Sequence, residues 1–383
     1  MPAPTPAAAA FIVALFHGAY LIRSGVQFAS GDSATYAHWS ARLVETGFDY
    51  PELLAEAAPA FPAFFYALFA TLLALLRTVF AEDWSAALVT VNLAAHAGLA
   101  AMVMRLAALA TGHSAAAAWT VLILFLGCHE LLRWVPFVLS DVTFVFLAFA
   151  IFSLAAGRIL EPGKSWLPVA FPAVAAIFYR PTGIVLVADL AWAAFLARRK
   201  RLPPWPVLAA AIAGFAALVA VAFAWLVEAP ERWPFDAFSR AFEVVGSSYA
   251  NGEVVRVRFA TYHEAPSGLA DILLISADRF RHFFAIGAAE YSLAHRAVSL
   301  AFFVPCYGLA AWLGIAMWRG DSQIGEAERR LFMAAAGAVF AYAFFHALVQ
   351  IDFDWRYRLP VIPHLMLLAA GGAADLARRA RGP

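Results

Sequence analysis

The chain has 383 residues, 63% of them hydrophobic and 14% charged, with a mean hydropathy of +0.75 and a formal net charge of +1. Apolar material on this scale, gathered in runs about 20 residues long, exceeds what a soluble core buries and predicts an all-α polytopic membrane protein. The near-zero charge and dispersed arginines leave no basic face for nucleic acid. Cys128 and Cys306, in apolar runs without CxxC spacing, argue against a disulfide or zinc framework.

Lys164 and Lys200 are the only lysines; with the alanine richness, that bias toward arginine points to a GC-rich bacterial source. Residues Met1 to Ala10 lack the basic start of a secretory leader, so the first apolar run is read as a retained span. Apolar runs fall near 7–23, 60–77, 86–105, 115–133, 138–157, 166–179, 182–197, 206–227, 296–318, 331–350 and 359–377.

After the first run comes Gly31-Asp32-Ser33-Ala34-Thr35-Tyr36-Ala37-His38-Trp39. Gly31 permits a tight turn and Asp32 or Ser33 can cap the helix that follows. That helix is amphipathic, with Tyr36, Trp39 and Leu43 on one face and His38, Arg42 and Glu45 on another. It is predicted to lie at the membrane interface, within a first outer loop over 24–85 that carries juxtamembrane helices.

Basic loops set the orientation. Arg198-Arg199-Lys200-Arg201, the loop from Arg319 to Arg330, and the Arg378-Arg379-Arg381 tail are assigned to the cytoplasmic side, with Arg105 to His113 and Arg158 to Lys164. Asp141, Arg180, the loop 228–295 and the segment Asp352 to Arg358 then face outward. Eleven spans would put Asp32 on the opposite side from those groups. If 60–77, which opens on Pro59 and Pro62, does not cross, about ten spans remain and all of them share one side. The loop 228–295 is long enough to be functional and is read as a lid or platform. It holds a short strand expected over Val254 to Phe259 and a helix over Pro266 to Ala289, with Leu269, Leu273, Phe280 and Phe284 along its apolar side. The whole of 1–383 reads as a single integral membrane domain.

Four places carry candidate chemistry. Asp32, at the mouth of the membrane, suits a general base, the structural alternative being a helix N-cap. Asp141, after Ser140 at the start of a span, reads first as a cap. Arg180, in the turn Tyr179-Arg180-Pro181-Thr182-Gly183, needs a partner at the membrane edge: Asp141, Asp352, Asp354 or a ligand phosphate. Arg356, Tyr357 and Arg358, leading into the last span, suit a phosphate held bidentately, or an aromatic belt with snorkelling arginines. Within the apolar runs, Asn92, His96, Asp189 and His346 mark either interhelical pairs or a pathway.

Taken in order, these stretches resemble the GT-C glycosyltransferases, polytopic enzymes that use sugars carried on polyprenyl or dolichyl phosphate. The aminoarabinose transferases, protein O-mannosyltransferases and GPI mannosyltransferases belong to that group. Asp32 with Tyr36, Ala37, Leu43 and Gly47 is similar to its first outer loop, and Pro59 to Tyr66 to its juxtamembrane segment. Ser140-Asp141, Arg180-Pro181-Thr182-Gly183 and Arg356-Tyr357 with Pro360 and Pro363 resemble its later motifs. The resemblance implies a GT-C-like fold, Asp32 as catalytic base, and substrate contacts from Arg180, Arg356, Arg358, Tyr357, Tyr36, His38 and Asp141. It further implies a polyprenyl-phosphate sugar donor and a lipid, glycan or protein acceptor, at a periplasm-facing site in the bacterial inner membrane. Ser33 stands where the family often has a second acid, so no residue is assigned to a metal and a divalent ion is left open. Two other functions fit the same chain: a transporter or flippase of a lipid-linked substrate using Asp189 and His96, and a non-catalytic subunit that docks a partner through the long loop.

Overall fold

The computed structural model describes residues 5–22, 26, 30–57, 63–161, 163–199, 205–228, 245–255, 264–287, 291–351 and 356–381. Among the described residues the regular structure is helical, with no β-strand. The helices are α1 (Pro6–Leu21), α2 (Ser30–Glu45), α3 (Tyr50–Ala57), α4 (Ala67–Phe80), α5 (Trp84–Ala110), α6 (Ala115–Gly127), α7 (His129–Arg133) and α8 (Asp141–Leu160). They continue with α9 (Leu167–Ile177), α10 (Ile184–Arg198), α11 (Trp205–Glu228), α12 (Leu269–Phe283), α13 (Leu293–Arg319), α14 (Glu326–Val349) and α15 (Ile362–Ala380).

Six helical segments among the described residues are long and apolar enough to cross a membrane: Ala67–Ala110, Asp141–Leu160, Pro181–Arg198, Leu293–Arg319, Glu326–Val349 and Arg356–Ala380. The chain is thus built as a helical membrane protein. Shorter apolar helices occupy Pro6–Leu21, Ala115–Gly127, Leu167–Ile177 and Ile212–Ala224. The apolar run 115–133 is broken at Cys128 into α6 and α7. α4 has 14 residues, a rise of about 21 Å against a hydrocarbon layer of about 30 Å. Sequence chemistry explains several ends. The Thr5 hydroxyl accepts the Ala8 N–H at 3.3 Å before Pro6 opens α1, and Ser114 caps α6 through the N–H of Ala117.

The chain gathers into two compact units, one of residues 1–198, 301–338 and 359–383, the other of 199–300 and 339–358. In the first, α5 packs on α1, α4, α6, α8 and α15, and α8 packs on α9 and α10. Small residues let these helices approach closely. A Cβ on Gly98 would meet the ring of Phe146 on α8, and one on Gly372 of α15 would run into the backbone carbonyl of Leu309 on α13. At one end of this unit the fully buried Asp375 accepts hydrogen bonds from Trp312 Nε1 (3.2 Å), Gln323 N (2.8 Å) and Arg379 Nε (2.9 Å). Arg378 donates to the carbonyls of Gln323 and Thr111, both at 2.7 Å, the second capping the C-terminus of α5. Three stretches that the sequence assigns to the cytoplasmic side therefore meet: 105–113, 319–330 and 378–381.

The second unit is organised by a buried arginine. Arg279 of α12 is 0% exposed and donates to the Glu253 carbonyl (2.9 Å from Nε), Ser248 Oγ (2.8 Å) and the Val349 carbonyl (3.4 Å). Its guanidinium lies 4.1 Å above the ring of Tyr249, whose hydroxyl is 2.9 Å from the Leu348 carbonyl. Two side chains from the long loop thus satisfy the last carbonyls of α14, which no intrahelical donor can reach. Of the expected apolar side of α12, Leu273, Phe280 and Phe284 are half-buried, and the cap widens the buried face. Ile272, Ile275, Ser276, Arg279 and Phe283 are buried, whereas Leu269, in the predicted apolar stripe, is exposed. The cap needs Arg279 inside, and helical spacing takes Ile272, Ile275 and Phe283 in with it. Of the strand expected over Val254 to Phe259, Val254 and Val255 form a bend and the remainder lies outside the described residues.

Gly372→Ala should lower the thermal midpoint of the detergent-solubilised protein, because the methyl group meets backbone rather than a flexible side chain. Overpacking of this kind costs about 1–3 kcal/mol; differential scanning fluorimetry measures it, with Gly308→Ala, in open space, as the neutral control.

Candidate functional site

α2 begins at Ser30, so Gly31 is helical rather than a turn, and Asp32 and Ser33 lie inside the first turn rather than at the cap. Asp32 is half-buried. Its carboxylate complements the helix dipole there. The predicted faces of α2 are present. Tyr36, Trp39 and Leu43 are buried, while His38 and Glu45 are exposed and Arg42 pairs with Glu45 at 2.7 Å. Trp39 and Leu43 pack with Leu53, Ala70 and Ala74. Arg77 on α4 locks the contact by donating to Ser40 Oγ (2.8 Å) and the Ala37 carbonyl (3.2 Å) while lying over Trp84 (4.0 Å).

The approach to Asp141 is a buried run of turns and bends over 134–140. Nearby N–H groups meet the carbonyls of Trp134, Phe137 and Ser140, and side chains from other helices add further donors. Asn92 on α5 gives its amide to the carbonyls of Val135 (3.1 Å) and Phe137 (3.2 Å), and Ser33 on α2 gives its hydroxyl to that of Val138 (2.9 Å). Asn92 is thus an interhelical anchor. Asp141 opens α8 after Ser140, whose side chain makes no capping bond. Rather than serving as the cap, Asp141 pairs with Arg180 at 2.5 Å, both side chains being buried (3% and 9% exposed). Arg180 thereby takes one of the partners foreseen for it.

The turn that carries Arg180 is shaped by its neighbours. Pro181 to Gly183 form a 3₁₀ turn in which a Cβ at Gly183 would strike the carbonyl of Ala176 at the end of α9, so only glycine fits. The Tyr179 hydroxyl bonds Thr143 on α8, and the N–H of Leu68 bonds the Phe178 carbonyl at 2.9 Å, tying the start of α4 to the same turn. Phe69 bridges two tyrosines, with ring centroids 5.0 Å from Tyr36 and 5.6 Å from Tyr179.

Tyr36 and Tyr66 stand 5.2 Å apart, centroid to centroid, and share a hydroxyl hydrogen bond. Burial pushes both phenols above their ordinary value; Arg180 pulls them down, while Asp32 and Asp141 push them up. Both hydroxyls therefore stay protonated at neutral pH and remain donors. The charges of Asp32, Asp141 and Arg180 all act on the Tyr36–Tyr66 pair, although the five residues come from four separate stretches of chain. The cluster offers a carboxylate that can accept a proton, hydroxyls that can donate, and a guanidinium beside them.

Of the other predicted residues, His38 sits on the exposed face of α2 with its ring against Trp39 (4.8 Å). Arg356, Tyr357 and Arg358 belong to the second unit. There Arg358 is 1% exposed and donates to the Ala285 carbonyl just after α12, so it serves as a backbone clamp. Tyr357 stacks on His346 at 4.8 Å, and Arg356 is half-buried beside Tyr357. Asp352 and Asp354 lie outside the described residues. Asp189 is buried on α10, which packs on α8 and α9, and His96 is buried on α5 against Phe125 (4.7 Å). Sequence reasoning missed Tyr66, Tyr179 and Thr143 as parts of the cluster, since tyrosines at span ends pass for an interfacial belt. Among the described residues no group of three or more His, Cys, Asp or Glu side chains is disposed to hold a metal ion. Comparison with protein-family models, with curated proteins and with solved structures finds no match to the chain.

Arg180→Ala should destabilise the protein by about 3–5 kcal/mol, because it strands the buried Asp141 carboxylate. The double change Arg180→Gln with Asp141→Asn should recover much of that loss, and thermal unfolding of the purified variants measures both.

Proposed function

We propose that the chain is a GT-C-type glycosyltransferase of the bacterial inner membrane, moving a monosaccharide from a polyprenyl-phosphate donor to an acceptor on the periplasmic side. The observation that carries this reading is the convergence of Asp32, Tyr36, Tyr66, Asp141 and Arg180 in one cluster of a helical membrane protein. Asp32, Tyr36, Asp141 and Arg180 are residues that the resemblance marks.

In the proposed reaction Asp32 takes the proton of the acceptor hydroxyl or amine as that group attacks the anomeric carbon. The bond from the anomeric carbon to the phosphate oxygen breaks, and its electron pair leaves with the polyprenyl phosphate. A single displacement of this kind inverts the anomeric configuration. The tyrosine pair, protonated and with one hydroxyl proton left over from its shared hydrogen bond, and the cationic Arg180 stabilise the negative charge on the departing phosphate. Asp141, by pairing with Arg180, orients that guanidinium. The resemblance also assigns donor contacts to Arg356, Tyr357 and Arg358. The burial of Arg358 against the Ala285 carbonyl favours Arg356 as the arginine of that segment to test.

A transporter or flippase remains the second reading, favoured by Asp189. This carboxylate is buried on an apolar helix, with no hydrogen-bond or ion-pair partner among the described residues.

Purified protein in lipid nanodiscs, offered a panel of polyprenyl-phosphate sugars, separates the two. Asp32→Asn should lower turnover about 10²–10⁴-fold while leaving donor affinity intact, as loss of a general base does; unchanged turnover removes Asp32 from the chemistry. Arg356→Ala should weaken donor binding, and unaltered affinity would leave it a belt residue. Asp189→Asn should be mild for a glycosyltransferase, whereas abolished substrate movement with Asp32→Asn harmless would establish the transporter.

A further inference from the structure

Ser33 directly follows the proposed base, is 0% exposed, and points its hydroxyl at the Val138 carbonyl, 2.9 Å away. Val138 stands three residues before Asp141. One hydrogen bond thus joins the first turn of α2 to the segment that delivers the second acid of the cluster. Asn92 holds the neighbouring carbonyls of Val135 and Phe137 from α5, so the segment is anchored to a long helix on one side and, through Ser33, to α2 on the other. Lower on α2, Arg77 and the packing of Trp39 and Leu43 set the helix against α4. These contacts lie five to eleven residues along the helix from Asp32 and fix the helix axis, whereas Ser33 acts in the turn where the carboxylate is.

We propose that Ser33 is a positioning residue: its hydroxyl holds Asp32 in register with the Asp141–Arg180 pair. The proposal rests on the reading of Asp32 as base. It also accounts for the serine at a position where a second loop acid is expected by resemblance. A carboxylate at 33 would turn acceptor oxygens toward the Val138 carbonyl, inside the protein, with no proton to donate. The second carboxylate of the cluster comes instead from Asp141, already matched to Arg180.

Ser33→Ala, Ser33→Thr and Ser33→Asp in the full-length protein, in nanodiscs, give two independent readouts. Amide hydrogen exchange without any donor should rise about tenfold or more in both 30–37 and 134–141 for Ser33→Ala, and further for Ser33→Asp, while Ser33→Thr stays near wild type. Exchange unchanged in both segments for Ser33→Ala overturns the proposal. In turnover of a polyprenyl-phosphate sugar, Ser33→Ala should lower kcat about tenfold or more with KM for the donor held, and Ser33→Thr should restore it. A loosened pair of segments with kcat unaltered would also overturn it, since the contact would then be structural only. If wild type turns over no such donor while Ser33→Ala still loosens both segments, the tie between the segments stands and the assignment of Asp32 as base falls.

Discussion

The buried pair between Asp141 and Arg180 is the constraint to which the surrounding structure answers. Two opposite charges removed from water are tolerated only when both are fixed and hydrogen-bonded, because their attraction must offset a desolvation cost of several kcal/mol per ion. Arg180 is fixed by a 3₁₀ turn so close to α9 that residue 183 has room for no side chain, and by the Tyr179–Thr143 and Leu68–Phe178 bonds on either flank. Asp141 is fixed by the anchored carbonyls of 135, 137 and 138. The tyrosine pair lies within the field of that ion pair and of Asp32.

Arginine does much of the structural work in this nearly lysine-free chain. Arg77 reaches the Ala37 carbonyl, Arg279 those of Glu253 and Val349, Arg358 that of Ala285, and Arg378 those of Thr111 and Gln323. A planar guanidinium with five donors suits helix ends, where carbonyls point away from any intrahelical partner. The same planar fork binds phosphate. An arginine beside aromatics at the end of a span therefore fits both roles, and burial separates them: Arg358 is enclosed and committed to backbone, whereas Arg356 is half-buried.

What was legible in the sequence followed from short-range rules. The apolar runs match helices because hydropathy over a span is a sum over contiguous residues. The two faces of α2 match because 3.6-residue spacing places Tyr36, Trp39 and Leu43 on one side whatever they pack against. Gly183 and Pro181 announced a turn. The predicted side of α12 is only half of what it buries, for the converse reason. An isolated helix has no reason to bury Arg279, and only the carbonyls of α14, some 70 residues further on, provide one.

The sequence by itself determined a helical membrane protein, the amphipathic helix after the first apolar run, and the short list in which Asp32, Tyr36, Asp141 and Arg180 stood. The first two, with Asp32, Asp141 and Arg180, depend on composition, periodicity and local turn chemistry; Tyr36 joins the list by the resemblance. Only the tertiary structure decided that Arg180 takes Asp141 among its several candidate partners, that Tyr66 and Tyr179 join the same cluster, and that Ser33 spends its hydroxyl on Val138. Each of those is a contact between groups 30 to more than 100 residues apart, and a pairing at that range is set by how whole helices pack.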